Sequence, residues 1–383
     1  MIDETVKTAL YLLSNVINGR KADKSRLADC DLRALLEFAV SSSISSALCI
    51  ALEDAGALSG SPYEGKWLQE KFRAVRKRML MDGETAAVEN VFRTSGIRYM
   101  IMKGGTLCRY YPKPEMREMA DCDVLIGERD YDRAAEIMRS LGYEHDSSDE
   151  RADQREYSKP PFFNFELHFM LYPKRDDRIH GYYADVWERL KTDDGVKHYF
   201  ADEDFYVYSI VHTYKHYSGS GTGLRSLLDI YVLNNLFGKK YDRKYIEDET
   251  AKLGISDFEK KLRELSIKVF GGCEYVLTEE EEETVAYFAG SGTYGNYENR
   301  VTNAFRTKYP DGATGINKVK YVLSRLFPSA KWFKANYPAC EKHPVLIPFY
   351  AVRRLFVTGI RRKGAVMNEL DAVMKAEKSG KEE

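Results

Sequence analysis

Residues 97–169 interrupt a chain that is otherwise patterned for helices, and neither an all-helical nor an all-β fold accommodates that interruption. From Thr5 to about Ser95 apolar residues recur at helical spacing: Leu10, Leu12, Leu13 and Val16, then Leu32, Leu35, Leu36, Phe38 and Ala39. Lys66 to Phe92 alternates basic and apolar residues over several turns, and Ser95-Gly96 supplies a helix stop. The period then changes. IRYMIM (Ile97 to Met102) is a short β-branched and aromatic run that predicts a strand. Gly104-Gly105 turns the chain into a short helix over Thr106 to Tyr111, and PKPEMREMA reads as a loop. DCDVLI (Asp121 to Ile126) predicts a second strand, and Asp130 to Leu141 an amphipathic helix closed by Gly142. FFNFELHF (Phe162 to Phe169), after the Pro160-Pro161 break, predicts a third strand.

Beyond Asp202 helical patterning returns, with helices expected near 203–217, 223–237, 242–253, 256–270, 278–289, 314–326 and 345–375. SGTYGNYENR (Ser291 to Arg300) reads as a Gly- and Tyr-rich loop, and the last dozen residues as a frayed tail. The fold class is therefore α+β: a small mixed sheet flanked by helical regions, with expected boundaries at 1–95, 96–200 and 201–383.

Charge and cysteine usage narrow the function classes. Lys plus Arg (58) nearly balance Asp plus Glu (59), so nothing global points to a dedicated nucleic-acid binder. The six cysteines form no CxxC pair, which removes the readable zinc and thioredoxin-like signatures. The N-terminus, MIDETVKTALYLL, lacks a basic start, and the longest apolar run is Val345 to Val352. The expectation is a reduced, cytoplasmic protein with no transmembrane segment.

The chemistry concentrates in the interrupted stretch. Asp121 and Asp123 stand two apart on an expected strand, so both carboxylates project from one face while Cys122 and Val124 face apolar packing. Two such carboxylates repel each other unless a cation lies between them, and Mg²⁺ prefers oxygen ligands shared with substrate phosphates. The same pair also suits a solvated turn. Gly104-Gly105 follows a strand and opens a helix, where backbone amides receive phosphate, and Lys103 just before it is a candidate phosphate partner. Glu166 offers a third carboxylate, sharing its strand face with Asn164 and His168. An exposed strand face is the alternative for Glu166. His212 and His216 lie one helical turn apart with Lys215 beside them. HxxxH here lacks a zinc protease's Glu, so the reading is a polar face toward a nucleotide. A buried network is the alternative, with Arg225 and Asp229 pairing four residues apart.

Together, Lys103-Gly104-Gly105, Tyr111-Pro112-x-Pro114-x-x-Arg117, Asp121-x-Asp123-Val-Leu, Leu141-Gly142-Tyr143 and Glu166-Leu-His168 form a connected pattern. It resembles the uncharacterised bacterial nucleotidyltransferase family within the DNA polymerase β-like superfamily. A second stretch, His212-x-x-Lys215-His216 through Leu224-Arg225 to Leu228-Asp229, is similar to that family's helical region. The resemblance implies a nucleotidyltransferase core binding one or two Mg²⁺ ions and taking a nucleoside triphosphate as substrate. It implies Asp121, Asp123 and Glu166 as catalytic metal ligands, Gly104 and Gly105 as the nucleotide-binding turn. Lys103, Arg117, His212, Lys215, His216 and Arg225 are the further nucleotide-binding candidates. The acceptor is open among small molecules, RNA and protein.

Two rivals belong to other classes: an inactive nucleotide-binding regulator, and a toxin–antitoxin-type or membrane-surface interaction module. The second draws on Val345 to Lys363, which is apolar with Arg353, Arg354, Arg361, Arg362 and Lys363 clustered. That segment suits weak membrane or nucleic-acid contact, but packing as a helix with a basic outer face is the default.

Overall fold

In the computed structural model, the residues described are 2–145, 154–173, 177–272, 274–309, 314–326, 328–330, 332–333 and 337–361. The helical start is as the spacing predicts. Helices α1 (Glu4–Ile17), α2 (Leu32–Ser41), α3 (Ser45–Asp54) and α4 (Glu64–Thr94) precede the sheet. Asp3 opens α1 by accepting the Val6 amide at 2.8 Å, satisfying one of the otherwise orphaned N-terminal donors. Helix α4 ends where Gly96 takes φ 64°, a conformation that residues with a β-carbon rarely adopt.

The interruption becomes a five-stranded mixed sheet: β1 (Tyr99–Ile101), β2 (Cys122–Ile126), β3 (Glu144–His145), β4 (Gln154–Lys159) and β5 (Phe163–His168). Its order is β1-β2-β5-β4-β3, with β2 and β5 parallel and the other pairs antiparallel. Helix α5 (Lys103–Leu107) links β1 to β2, and α6 (Tyr131–Ser140) leads from β2 towards β3. Strands β3 and β4 are additions to the three expected strands. QREYSK, the β4 sequence, carries one buried tyrosine among polar residues, which hides its period of two.

Period-two alternation decides which face each residue takes. Cys122, Val124 and Ile126 of β2, Phe163, Phe165 and Leu167 of β5 and Tyr157 of β4 enter one core. Met81, Val88 and Phe92 of α4 and Ala134, Ala135 and Met138 of α6 cover that core. The opposite face therefore receives Asp123, Glu166 and His168. This alternation places the acids.

Downstream come α7 (Asp177–Tyr182), α8 (Val186–Arg189), a hairpin of β6 (Lys191–Thr192) and β7 (His198–Tyr199), then α9 (Asp202–Ser218), α10 (Leu224–Phe237), α11 (Arg243–Leu253), α12 (Ser256–Gly271) and α13 (Glu279–Ser291). Helix α10 is buried on all sides, from Leu224 through Leu227 to Asn234. It packs on α12, which in turn packs on α1, where Ser14 Oγ donates to the Phe270 carbonyl at 3.1 Å.

The chain divides into two units, residues 1–215 with 222–293, and residues 216–221 with 294–383. In the second, α14 (Tyr297–Lys308) and α15 (Gly315–Leu326) meet through Val301, Phe305 and Tyr321. Helix α14 absorbs YENR, so the loop expected over 291–300 is shorter: Asn296 caps the helix by accepting the Asn299 amide. The expected helix near 345–375 is described only over Ile347–Arg361, where Phe349 and Val352 remain exposed rather than packed. Arg362, Lys363 and the expected frayed tail lie outside the described residues. Among the described residues no helix is long and apolar enough to cross a membrane.

Two substitutions separate packing from backbone conformation. Phe165→Ala removes a fully buried ring and should cost about 3–5 kcal/mol. Gly96→Ala meets no neighbouring atom and should cost only the left-handed backbone penalty, about 1–2 kcal/mol. Urea unfolding measures both; a smaller loss for Phe165→Ala than for Gly96→Ala would contradict this core.

Candidate functional site

The acids meet because β2 and β5 run parallel in one register. Asp123 pairs with Glu166 and Leu125 with His168. Ligand atoms of Asp123, Glu166 and His168 all lie within 4.8 Å of one another. His168 Nε2 is 3.2 Å from Asp123 Oδ1 and 3.6 Å from Glu166 Oε2. Gln154, opposite His168 on β4, donates its side-chain amide to Glu166. Glu156 on β4 pairs across from Glu166, adding a fourth carboxylate to this face. Asn164 donates to Glu156 at 2.8 Å.

Asp121 precedes β2 and belongs to the same electrostatic cluster. Burial, then the charges of Asp123 and Glu166, push its carboxyl up to about 6, against the counteracting pull of Arg225. The buried His168 would lose its proton more readily on burial alone, but hydrogen bonds to Asp123 and Glu166 hold it up to about 9. Imidazolium thus supplies one positive charge to a face crowded with carboxylates. The oxygen donors match a divalent cation, and the uncompensated repulsion at Asp121 is what such an ion relieves.

The glycine turn adjoins these acids through the Met102 amide, which donates to the Asp123 carbonyl at 2.9 Å. Helix α5 begins at the next residue without a side-chain cap, and the Gly104 and Gly105 amides have no acceptor among the described residues. The two glycines differ in role. A β-carbon on Gly105 would lie 2.7 Å from Ile101 Cγ2, so internal packing alone excludes a side chain there. One on Gly104 would meet Met119 and Arg117 at ordinary distances of 3.6 and 3.8 Å.

Lys103 and Arg117 are buried and turned towards Asp229 of α10. Arg117 contacts it twice, Nε to Oδ1 at 2.8 Å and Nη2 to Oδ2 at 3.0 Å, and Tyr111 Oη donates to Oδ1 at 2.7 Å. Lys103 Nζ lies 3.6 Å from Oδ2 and donates to Thr213 at 3.4 Å. Arg117 Nη1 also reaches the Gly104 carbonyl at 3.4 Å, so this network ties α10 to the turn. Although burial opposes ionisation, Arg117 and Lys103 hold the Asp229 carboxyl down to about 2. Burial in turn pulls Lys103 down to about 8, despite Asp229. Asp229, read in sequence as an Arg225 partner, thus receives Arg117, Tyr111 and Lys103, while Arg225 donates to the Glu118 carbonyl.

His212 sits edge-on to Tyr208 with ring centres 6.3 Å apart, and Lys215 Nζ lies 5.4 Å from the Tyr172 ring centre. His216 belongs to the second unit. A cation the motifs do not single out is Lys77 of α4, half-buried, 5.9 Å from the Phe162 ring centre. Burial lowers its pKa while the charge of Asp121 raises it. Helical spacing identifies such a lysine only as part of a basic stripe. His168 was visible as a face-mate of Glu166, but its approach to Asp123 depends on the strand register.

Ionisation at this face has a definite sign. Both Asp121 and His168 are held above their ordinary values, so each stabilises the fold when protonated: Asp121 below about pH 4, lost as pH rises through 6; His168 below about 6.5, lost as pH rises through 9. In EDTA the melting temperature should fall more steeply from pH 4 to 7 than that of Asp121→Asn, and MgCl₂ should remove the difference. Parallel curves would contradict the crowding. Asp229→Ala, which strands buried Arg117, should cost about 3–5 kcal/mol by urea unfolding.

A family model described as an uncharacterised nucleotidyltransferase matches residues 28–271. No curated protein and no solved structure matches the chain.

Proposed function

The chain belongs to this nucleotidyltransferase family, and on that premise we propose that it moves a nucleoside monophosphate from a nucleoside triphosphate to an acceptor hydroxyl, amine or phosphate. One observation carries the reading: Asp123 and Glu166, in register on adjacent parallel strands, stand beside Gly104 and Gly105, whose amides have no acceptor among the described residues. Asp121, Asp123 and Glu166 would hold magnesium. When bound, it neutralises charge on the phosphate oxygens.

The chain's own groups account for the rest. The amides of Gly104 and Gly105 receive a phosphate at the start of α5, where neither has an acceptor among the described residues. Lys77 and Arg225, both within the field of Asp121, add positive charge for the triphosphate. Lys103 and Arg117 shape the turn from beneath through Asp229. The acceptor oxygen or nitrogen bonds to the α-phosphorus as the bond to the α,β-bridging oxygen breaks. Pyrophosphate leaves, and the acceptor's proton passes to Glu166. His168 holds the two carboxylates in place, by a hydrogen bond to Asp123 and an ion pair with Glu166.

Incubation with labelled ATP, CTP, GTP and UTP, Mg²⁺ and a cell-extract acceptor pool should yield labelled product and pyrophosphate. Asp121→Ala/Asp123→Ala should lower that yield at least about a hundredfold while retaining the melting transition. Full turnover in this double variant, or nucleotide binding without pyrophosphate release by the wild type, would contradict the proposal.

The glycines provide an independent check. Gly104→Ala has internal room, so it should keep its stability yet lose the melting shift that Mg–nucleoside triphosphate gives the wild type. Gly105→Ala collides with Ile101 and should lose about 1–3 kcal/mol without nucleotide. A nucleotide shift of wild-type size in Gly104→Ala would remove phosphate from this turn.

A further inference from the structure

Edge strand β1, which pairs with the Asp123 strand, borders a cavity. On β1 the residues alternate: Tyr99 enters the core behind the sheet, so Met100, which pairs with Leu125, faces the same side as Asp123. Met102, two residues on, shares that face and donates its amide to the Asp123 carbonyl. Met100 and Met102, together with Ile101 from the other face of the strand, line a cavity of about 490 Å³. Thr106, beyond the glycine turn, lines it too, and so does Tyr208, which lies beside the Lys103 amide. The cavity thus lies along edge strand β1 and abuts the proposed nucleotide-binding turn through Met102 and Thr106.

Its walls have a chemical bias. Five aromatic rings line it, from Tyr110, Tyr199, Phe200, Phe205 and Tyr208. Two carboxylates, Asp202 and Glu203 at the start of α9, face a single lysine, Lys191. Glu203 Oε1 accepts the Asp242 amide at 3.1 Å, whereas Asp202 has no partner among the described residues. Aromatic faces and a carboxylate attract one class of small molecule in common: those bearing a positively charged nitrogen. An anion would meet net negative charge here, whereas a cation gains from the carboxylates and the aromatic rings together.

We propose that this cavity seats the acceptor of the transfer, and that the acceptor is a small molecule with a cationic amine or amidine group. The proposal rests on the nucleotidyltransferase reading and adds the substrate class to it. The cation lies against Asp202 and the aromatic walls, and the nucleophilic hydroxyl points past Met102 towards the carboxylates. Its oxygen forms the bond to the α-phosphorus, pyrophosphate departs, and the hydroxyl proton goes to Glu166.

Benzylamine, benzyl alcohol and benzoate are near-equal in shape and differ in charge, so they probe the cavity directly. Titrated into the full chain at pH 7 and followed by ligand-observed NMR, benzylamine should bind at least about tenfold more tightly than the other two. Asp202→Asn, and independently Glu203→Gln, should erase that preference, with the melting temperature reporting that each variant is folded. Saturating Mg–nucleoside triphosphate should leave benzylamine bound, because acceptor and nucleotide occupy separate subsites.

Equal binding of the three probes, no binding at about 20 mM, or an unchanged preference in both variants would overturn the cationic assignment. Displacement of benzylamine by the nucleotide would make the cavity a nucleotide subsite and overturn the acceptor assignment. These failures are distinct from failure of the transfer reading, which shows as absent pyrophosphate release whatever benzylamine does.

Discussion

Parallel pairing of β2 with β5, in the register that sets Asp123 beside Glu166, is the constraint from which the site follows. A slip of one residue in β5 against β2 would turn Glu166 into the core and bring Phe165 or Leu167 out beside Asp123. That slip is prevented by the apolar alternation behind the sheet, where Cys122, Val124, Phe165 and Leu167 are almost wholly buried. The hydrophobic core therefore does electrostatic work at a distance: burying one face forces like charges together on the other. The cost shows at Asp121, whose carboxyl resists ionisation because it is buried and its neighbours are also acids.

A second constraint fixes the glycine turn against these acids. Asp229 on the buried helix α10 receives Arg117 through two hydrogen bonds, and Arg117 reaches the Gly104 carbonyl. A buried ion pair of this kind adds little net stability compared with an apolar replacement, but losing one member is expensive. Its value is in geometry. It joins a helix more than a hundred residues downstream to the turn proposed for phosphate, and both lie within the stretch matched by the family model.

Much of this was legible in the sequence because it depends on local period. The spacing of Asp121 and Asp123 predicted two neighbouring carboxylates, of which Asp123 meets Glu166 and His168 while Asp121 stands just before the strand. Gly104-Gly105, expected as a turn ahead of a helix, fall inside the first turn of α5. Glu166 was legible as a polar residue alternating with Phe165 and Leu167. Strand β4 was not, because Gln154 to Lys159 contains too few apolar residues to display its period. Nor was the Asp229 network, since its partners are separated by 112 and 118 residues and only tertiary packing unites them. Gly105 shows a subtler limit. Its position suggested close approach by a ligand, whereas the contact that excludes a side chain is the chain's own Ile101. Lys77 was hidden in a basic stripe of α4, where nothing in the spacing separates the residue near Asp121 from its solvated neighbours.

The central claim is that acids from two strands jointly hold one divalent cation, and electron paramagnetic resonance of Mn²⁺ tests it most directly. Titrating Mn²⁺ into the protein with a nucleoside triphosphate present should show protein-bound ion. Glu166→Gln should weaken that binding nearly as much as Asp123→Asn, since β5 shares the site with β2. Mn²⁺ bound by Glu166→Gln as tightly as by the wild type would contradict a site spanning both strands.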